Sequence, residues 1–521
     1  MAITKGQAAS WIAHWQQQAG GKRPFFAQLL LLILINGIVG YNAITHHPLI
    51  GYDAHDHIAY LLTMSEGHFP TPLGILPNSD PRKVHRADGL PIRIEDSWFD
   101  LLRGESSEFF SPPLPYALPA LLLRLNWLTI WHTLRFGLLL NVLLSLGSTF
   151  TLVALTRQLY PQRPWLPAAT LALFGLLPVY YKTFAFIRGE PYVFFFGLLL
   201  TLLVVRQQQA QTSSVRQAIT LGVLLGLGIL SRQWAFFFFP VVGAGYLLLW
   251  WQQVRSRPTQ GWRGYLRPVL WHGVLTAVIA ILVGGWFYLY LYDRYGSLTA
   301  FNREPDETFG LTNQPLDFYF GSGEGLLFTD PVRPNFSNHL LPKFYSEMWG
   351  DHESYFLVMG WNDIKEKYYP GFMLLNKLEK PQLPEGFVTN RAEMGAFLGW
   401  VNRLALLPTA VFLAGMAWTT AVNLRWLWRK LPAPAPAALF PWLAVVTSVA
   451  GYLWFLIQYP NPERGDTIKA TYLLHIFPFV ALLTAVWLTQ LPHRRLVWLL
   501  WAALAAVALL ISPTFFTHYP V

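Results

Sequence analysis

The sequence predicts an all-α polytopic membrane protein with about 11 to 13 transmembrane helices and two long loops on one side. Three observations predict it. Hydrophobic residues fill 53% of the 521 positions and charged residues only 13%, about half the charged share of a soluble domain. Apolar windows of about 19 residues, enough to cross a bilayer as a helix, recur along the chain. Basic residues fall in the short loops between these windows, and most acids gather in the alternate loops.

Residues 1–24 are polar at first and carry Lys5, Lys22 and Arg23. The apolar run at 25–47 exceeds the roughly 7–15-residue core of a cleaved signal peptide and reads as a retained span. Further spans are expected near 133–156, 165–182, 190–206, 217–231, 233–251, 269–292, 398–422, 437–458, 468–489 and 494–512. The 217–231 run is short and meets Arg232 at once, which predicts a tight turn at the membrane surface. The apolar stretch 112–131 is broken by Pro112, Pro113, Pro115 and Pro119. Proline removes backbone donors and interrupts helices, so this stretch predicts a re-entrant or interfacial helix.

Placing the N-terminus in the cytoplasm tests the topology against the positive-inside rule. The cytoplasmic loops then hold Arg157 and Arg163; Arg206 and Arg216; Arg255, Arg257, Arg263 and Arg267; Arg425, Arg429 and Lys430; and Arg494 and Arg495. The other side receives the loops 48–111 and 293–397, short ones near 183–189, 232 and 459–467, and nearly all Asp and Glu. The chain thus divides into a cytoplasmic N-terminus (1–24) and an N-terminal transmembrane module (25–292) that includes the 48–111 loop. A folded extracytoplasmic loop (293–397) and a C-terminal transmembrane module (398–521) follow. Loop 293–397 is rich in Tyr, Phe and Trp, unlike a disordered linker, and is expected to fold against the membrane face.

Composition removes several function classes. The net charge of +10 sits at topology-setting positions, which argues against a nucleic-acid partner. Cysteine is absent, so there is no disulfide framework, thiolate metal site or cysteine nucleophile. No GxxxxGK[ST], GxSxG or HExxH motif occurs, which removes the common signatures of ATP hydrolysis, serine hydrolases and zinc proteases. No internal repeat of the kind that builds many transporters is evident.

Five constellations offer chemistry on the acid-bearing side. Asp53, His55, Asp56 and His57 lie in GYDAHDHIAY. A carboxylate there can serve as general base toward a hydroxyl at the lipid interface, or cap a helix. The four together also offer oxygens and imidazoles to a divalent cation. EFFSPPLPYALPALL (108–122) makes a rigid link from loop to membrane. KTFAFIRGEPY places Lys182, Arg188 and Glu190 between spans, where charge marks a substrate path or an ion pair. Arg188 can grip a phosphate in bidentate fashion or be neutralised by Glu190. Arg232 stands alone in LSRQW, and Lys469 opens a late span with Tyr472 about one turn on. Either cation can bind an anionic headgroup or snorkel to the interface.

A retained first span, an early loop acid (Asp53), a PPLPY segment (Pro112 to Tyr116) and a late Lys-x-x-Tyr-Leu-Leu (Lys469 to Leu474) together resemble the GT-C superfamily of membrane glycosyltransferases. The resemblance is to bacterial relatives of protein O-mannosyltransferases and of aminoarabinose transferase, and it covers the architecture of most of the chain. It implies a polyprenyl-phosphate sugar donor, Asp53 as base, and a donor phosphate held by Lys469, Tyr472, Arg188 and Arg232. His55, Asp56, Tyr116 and Glu190 would face substrate, a glycan, lipid or protein acceptor would receive the sugar, and the chain would sit in the plasma (inner) membrane with its site outside. His55 and Asp56 depart from the pair that follows the acid in many relatives, which leaves the acceptor and any metal open. Two alternatives stand beside this reading. An O-antigen-type ligase or polymerase would rely on loop Arg/His pairs, for which His339 and His352 are candidates, and a lipid or solute transporter would use intramembrane charges as a pathway.

Overall fold

The computed structural model describes residues 16–17, 19–46, 48, 51–72, 104–256, 261–301, 305–306, 308–353, 356, 391–429, 436–462 and 465–517. The chain opens with α1 (Lys22–Thr45), and α2 (Ala54–Glu66) and α3 (Leu114–Arg124) lie in the connection to α4 (Ile130–Leu159). Next come α5 (Leu166–Phe174), α6 (Pro178–Thr183), α7 (Glu190–Ala210) and α8 (Val215–Ile229). A 3-10 turn at Gln233–Phe238 leads into α9 (Phe239–Ser256), and α10 (Gly261–Ala280) joins α11 (Trp286–Tyr295) through a π turn at Ile281–Gly285. Within the second long loop stand α12 (Leu316–Phe320) and α13 (Leu340–Trp349). The rest is α14 (Arg391–Leu404), α15 (Leu406–Arg429), α16 (Leu439–Gln458), a 3-10 turn at Ala470–Ile476, α17 (Phe477–Leu488) and α18 (Arg494–Ile511).

The molecule is an all-α polytopic membrane protein: nine helical stretches among the described residues are long and apolar enough to cross a bilayer. Two expected spans take other forms. The 165–182 span is two helices, α5 and α6, with the break ending at Pro178, whose ring cannot donate into a continuous helix. The 217–231 span is the 15-residue α8, about 22 Å long against a hydrocarbon core of about 30 Å. It is well formed nonetheless, because Ser214 and Gln217 make a reciprocal capping box. Its Gly222 and Gly226 let α10 and the π turn approach closely: a Cβ on Gly226 would stand 2.5 Å from that of Val283. The proline-broken 112–131 stretch gives the short helix α3, with Pro119 inside it.

Buried polar contacts tie α1, α4 and α6 together. Asn36 donates to Thr149 Oγ1 at 3.0 Å, Ser145 donates to Asn36 Oδ1 at 2.6 Å, and Ser145 also pairs with the Tyr180 hydroxyl at 2.6 Å. At one end of the bundle Arg135 donates to the carbonyls of Ala43, Ile44 and His46, satisfying acceptors that the end of α1 leaves open.

Loop 293–397 is anchored on both sides. Lys343 and Arg333 donate to Glu353 at 2.7 and 2.8 Å, and Arg333 reaches Asp466 at 3.4 Å. Trp349 Nε1 donates to Thr409 of α15 at 2.8 Å. These links fix α13 against the 459–469 connection. Residues 73–103 and 357–390 of the two long loops lie outside the described residues.

Candidate functional site

Asp53 stands in the turn between α1 and α2 with φ 53°, a left-handed conformation that non-glycine residues seldom adopt. Gly51 makes that turn possible: at φ 138° a Cβ would lie 2.9 Å from the Phe186 ring. Although Asp53 occupies the N-cap position of α2, its carboxylate makes no capping hydrogen bond. Instead Oδ2 accepts from Lys469 Nζ at 2.7 Å. Lys469 is positioned by its own backbone, whose N–H donates to the Tyr452 hydroxyl at 2.9 Å. Burial alone would raise the Asp53 carboxyl, but the Lys469 ammonium beside it outweighs that effect and holds it below its ordinary value.

A second set of charges lies deeper. Arg188 grips Glu190 with Nε and with NH2, the latter at 2.6 Å. Arg232 donates to Glu190 Oε1 at 3.1 Å and to Glu108 Oε2 at 2.6 Å, and it also reaches Ser111. These side chains are at most 5% exposed, whereas Asp53 is 36% exposed. Burial pushes the Glu108 carboxyl up and Arg232 pulls it down further, leaving it well below the carboxylate range. Lys469, Arg188 and Arg232 all lie near the Tyr472 ring, at 5.6, 6.0 and 6.0 Å from its centroid. Among Asp53, Glu108 and Glu190 and the cations they pair with, the Asp53–Lys469 pair is the most exposed.

Asp53, Glu108, Arg232, Asp466, Lys469 and Tyr472 form the polar lining of a cleft of about 140 Å³. Phe110, Trp234, Phe301, Phe455 and Tyr459 form an aromatic wall facing them. The arrangement puts a carboxylate, an exchangeable ammonium and a fixed guanidinium beside a surface on which a sugar ring or a lipid chain can lie.

Of the expected site residues, the structure brings together Asp53, Lys469, Arg232 and Tyr472 at the cleft, with Arg188 and Glu190 paired behind them. Asp56 and Tyr116 stand apart from the lining. The Asp56 carboxylate accepts from Ser107 N and Oγ at 3.1 and 2.6 Å, an anchor for the first loop. Tyr116 bonds His57 Nδ1 at 2.6 Å and stacks on Tyr60 with centroids 4.4 Å apart. Burial pushes the His57 imidazole down to about 4.

Of the four candidates for a divalent cation, three have described side chains. Asp53, Asp56 and His57 each turn to a different partner, and no group of three or more metal-ligating His, Asp or Glu residues converges among the described residues. Successive helical positions point about 100° apart, which sends the Asp56 and His57 side chains in different directions. The His55 side chain lies outside the described residues. His352 is buried against the Pro331 carbonyl at 3.1 Å and pushed down to about 3 by burial. Neither it nor His339 lines the cleft.

Sequence reading missed Glu108. The acid is visible at the head of EFFSPPLPY, but its partner lies 124 residues away, and no local pattern links the two. The aromatic wall was equally hidden, since 23 Trp, 23 Tyr and 37 Phe give no local cue to which rings meet.

No family model matches the sequence, and no curated protein does. Among solved structures the chain is similar to the Archaeoglobus fulgidus oligosaccharyltransferase in complex with zinc and sulfate, at 13% identity and TM-score 0.44. The match covers 94% of this chain and 54% of that one, so the chain spans about half the length of that protein. It is also similar to the archaeal oligosaccharyltransferase AglB from the same organism with an inhibitory peptide and a dolichol-phosphate, at 13% identity, TM-score 0.40 and coverages of 95% and 56%. A third match is ArnT from Cupriavidus metallidurans bound to undecaprenyl phosphate, at 14% identity, TM-score 0.31 and coverages of 88% and 78%.

Proposed function

We propose that this chain is a membrane glycosyltransferase of the GT-C type, moving a sugar from a polyprenyl-phosphate donor to an acceptor hydroxyl on the extracytoplasmic side. The observation that carries this reading is the Asp53–Lys469 pair at the cleft, 2.7 Å apart and with Asp53 36% exposed. A buried pair such as Arg188–Glu190 resists exchange; a half-open one does not. The phosphate of the donor takes Lys469, with Arg232 close behind it, and the exchange releases Asp53.

The freed carboxylate loses the charge that held its pKa down and becomes a stronger base. The acceptor oxygen attacks the anomeric carbon on the face opposite the phosphate, with inversion, and its proton goes to Asp53. The sugar–phosphate C–O bond breaks, and the electron pair leaves on the polyprenyl phosphate. Lys469 and Arg232 stabilise the charge growing there. The aromatic wall excludes water from the anomeric centre. The basic loops at the opposite end of the bundle support an N-terminus in the cytoplasm and this cleft outside.

Transfer of radiolabelled sugar from a defined polyprenyl monophosphate donor tests the reading. Asp53→Asn is expected to lower kcat by about 10²–10⁴, and Lys469→Ala to raise the KM for donor, both with unchanged unfolding temperature in detergent. Full transfer by both variants would overturn the assignment. Movement of a preassembled glycan would instead indicate a ligase, and donor translocation without covalent product a transporter.

A further inference from the structure

We propose that residues 309–320 form an interfacial strap seated in the headgroup layer of the leaflet on the cleft side, with Leu311, Leu316 and Phe320 inserted toward the acyl chains. The segment is two-faced. Gln314 and Phe318 are buried against the protein, whereas Leu311 is 66% exposed, Leu316 76% and Phe320 82%. Leu316 and Phe320 sit four residues apart on the short helix α12, and so on one side of it. Three large apolar side chains facing out together mark a contact surface.

The depth of the segment identifies what covers it. Gln314 Nε2 donates to the Leu456 carbonyl at 2.7 Å. The Asp306 backbone N–H donates to the Gln458 carbonyl at 3.0 Å, and Gln458 Nε2 returns a bond to the Asp306 carbonyl at 2.6 Å. Leu456 and Gln458 belong to the last turn of α16. The strap is therefore pinned to the end of a membrane span, at the level where hydrocarbon gives way to headgroups. Trp454, 48% exposed on that same end of α16, is the residue type that favours this boundary. Within 309–320 the sole charged residue is Asp317, so little opposes partial immersion. The apolar outward face is held beside the end of a membrane span, which favours a lipid surface over a protein partner.

The strap follows Phe301 of the cleft wall in sequence, and α16 carries Phe455 of the same wall. A bilayer-seated strap sets that wall at the depth where a membrane-borne substrate presents its headgroup. The seat itself does not depend on the transferase reading, because it is read by depth and not by turnover.

The absence of cysteine makes site-directed spin labelling direct. Leu316→Cys, Phe320→Cys and, as a water-facing control, Glu324→Cys are labelled with a nitroxide in the full chain. Each is reconstituted in phosphatidylethanolamine–phosphatidylglycerol vesicles and read by power saturation against oxygen and a water-soluble nickel chelate. Labels at 316 and 320 are expected to collide several-fold more with oxygen than with nickel, and the label at 324 the reverse. Nickel dominance at both strap sites would overturn the proposal, as would low collision with both reagents, which would mean that protein and not lipid covers the face. The two sites are read independently, so a variant that fails to fold leaves the other decisive.

Discussion

Asp53 and Lys469 are 416 residues apart in sequence and 2.7 Å apart in space, and each was visible beforehand as a charge next to a membrane span. Their contact was not, because nothing in either local pattern names the other. Arg188 and Glu190 are the contrary case: two residues apart, they read from sequence either as a phosphate grip with a substrate contact or as a self-neutralising pair, and the two side chains do meet. Glu108 shows what pairing does at depth. Glu108→Gln removes one carboxylate from a buried Arg232, and breaking such a pair costs about 3–5 kcal/mol, so detergent unfolding should move sharply while Asp53→Asn moves it little. Acid dependence follows with its sign. His57 titrates near 6.5 when unfolded and about 4 when folded, so the unfolded chain takes the proton first, and stability falls as pH drops through that window. His57→Gln should flatten the unfolding temperature between those two values. The depressed carboxyls of Asp53 and Glu108 act lower, their stability being full above the ordinary values of 3.8 and 4.5 and lost as pH falls further.

Helix α8 was legible as a short apolar run meeting Arg232, while its close packing was not. Gly222 and Gly226 press it against α10 and the π turn, where a Cβ at Gly226 would meet Val283 at 2.5 Å. Gly226→Leu should overpack this contact and destabilise by about 1–3 kcal/mol. It should also disturb Arg232 three residues beyond the helix, so that unfolding temperature and donor KM change together. The break between α5 and α6 was not foreseen, because hydropathy averages over Pro178 while the backbone cannot. The partners of Asp53, Asp56 and His57 were not legible for a related reason: adjacent polar residues describe composition, and helix geometry sends these three to different partners. The short α3, by contrast, was readable from its prolines, since their effect on backbone donors is local.

The bundle gathers its cleft at one end, where the turns after α1, α6, α8 and α16 deliver Asp53, Arg188, Arg232 and Lys469. The opposite end carries the basic connections, with Arg163 reaching Thr489 and Gln209 donating to the Gln158 carbonyl at 2.9 Å. Charge sidedness is an expectation that the sequence carries loop by loop, because the positive-inside rule needs no tertiary contact. In intact cells a membrane-impermeant maleimide should label Ser322→Cys in the 293–397 loop and spare Ser213→Cys in the connection before α8; the reverse pattern would invert the topology. The claim on which the mechanism stands is the exchange of Lys469 from Asp53 to the donor phosphate. A structure with a non-hydrolysable polyprenyl phosphonate sugar tests it most directly. The account predicts the phosphonate on Lys469 and Arg232, with Asp53 released and facing the anomeric carbon. A phosphonate bound elsewhere, with the Asp53–Lys469 pair intact, would contradict it.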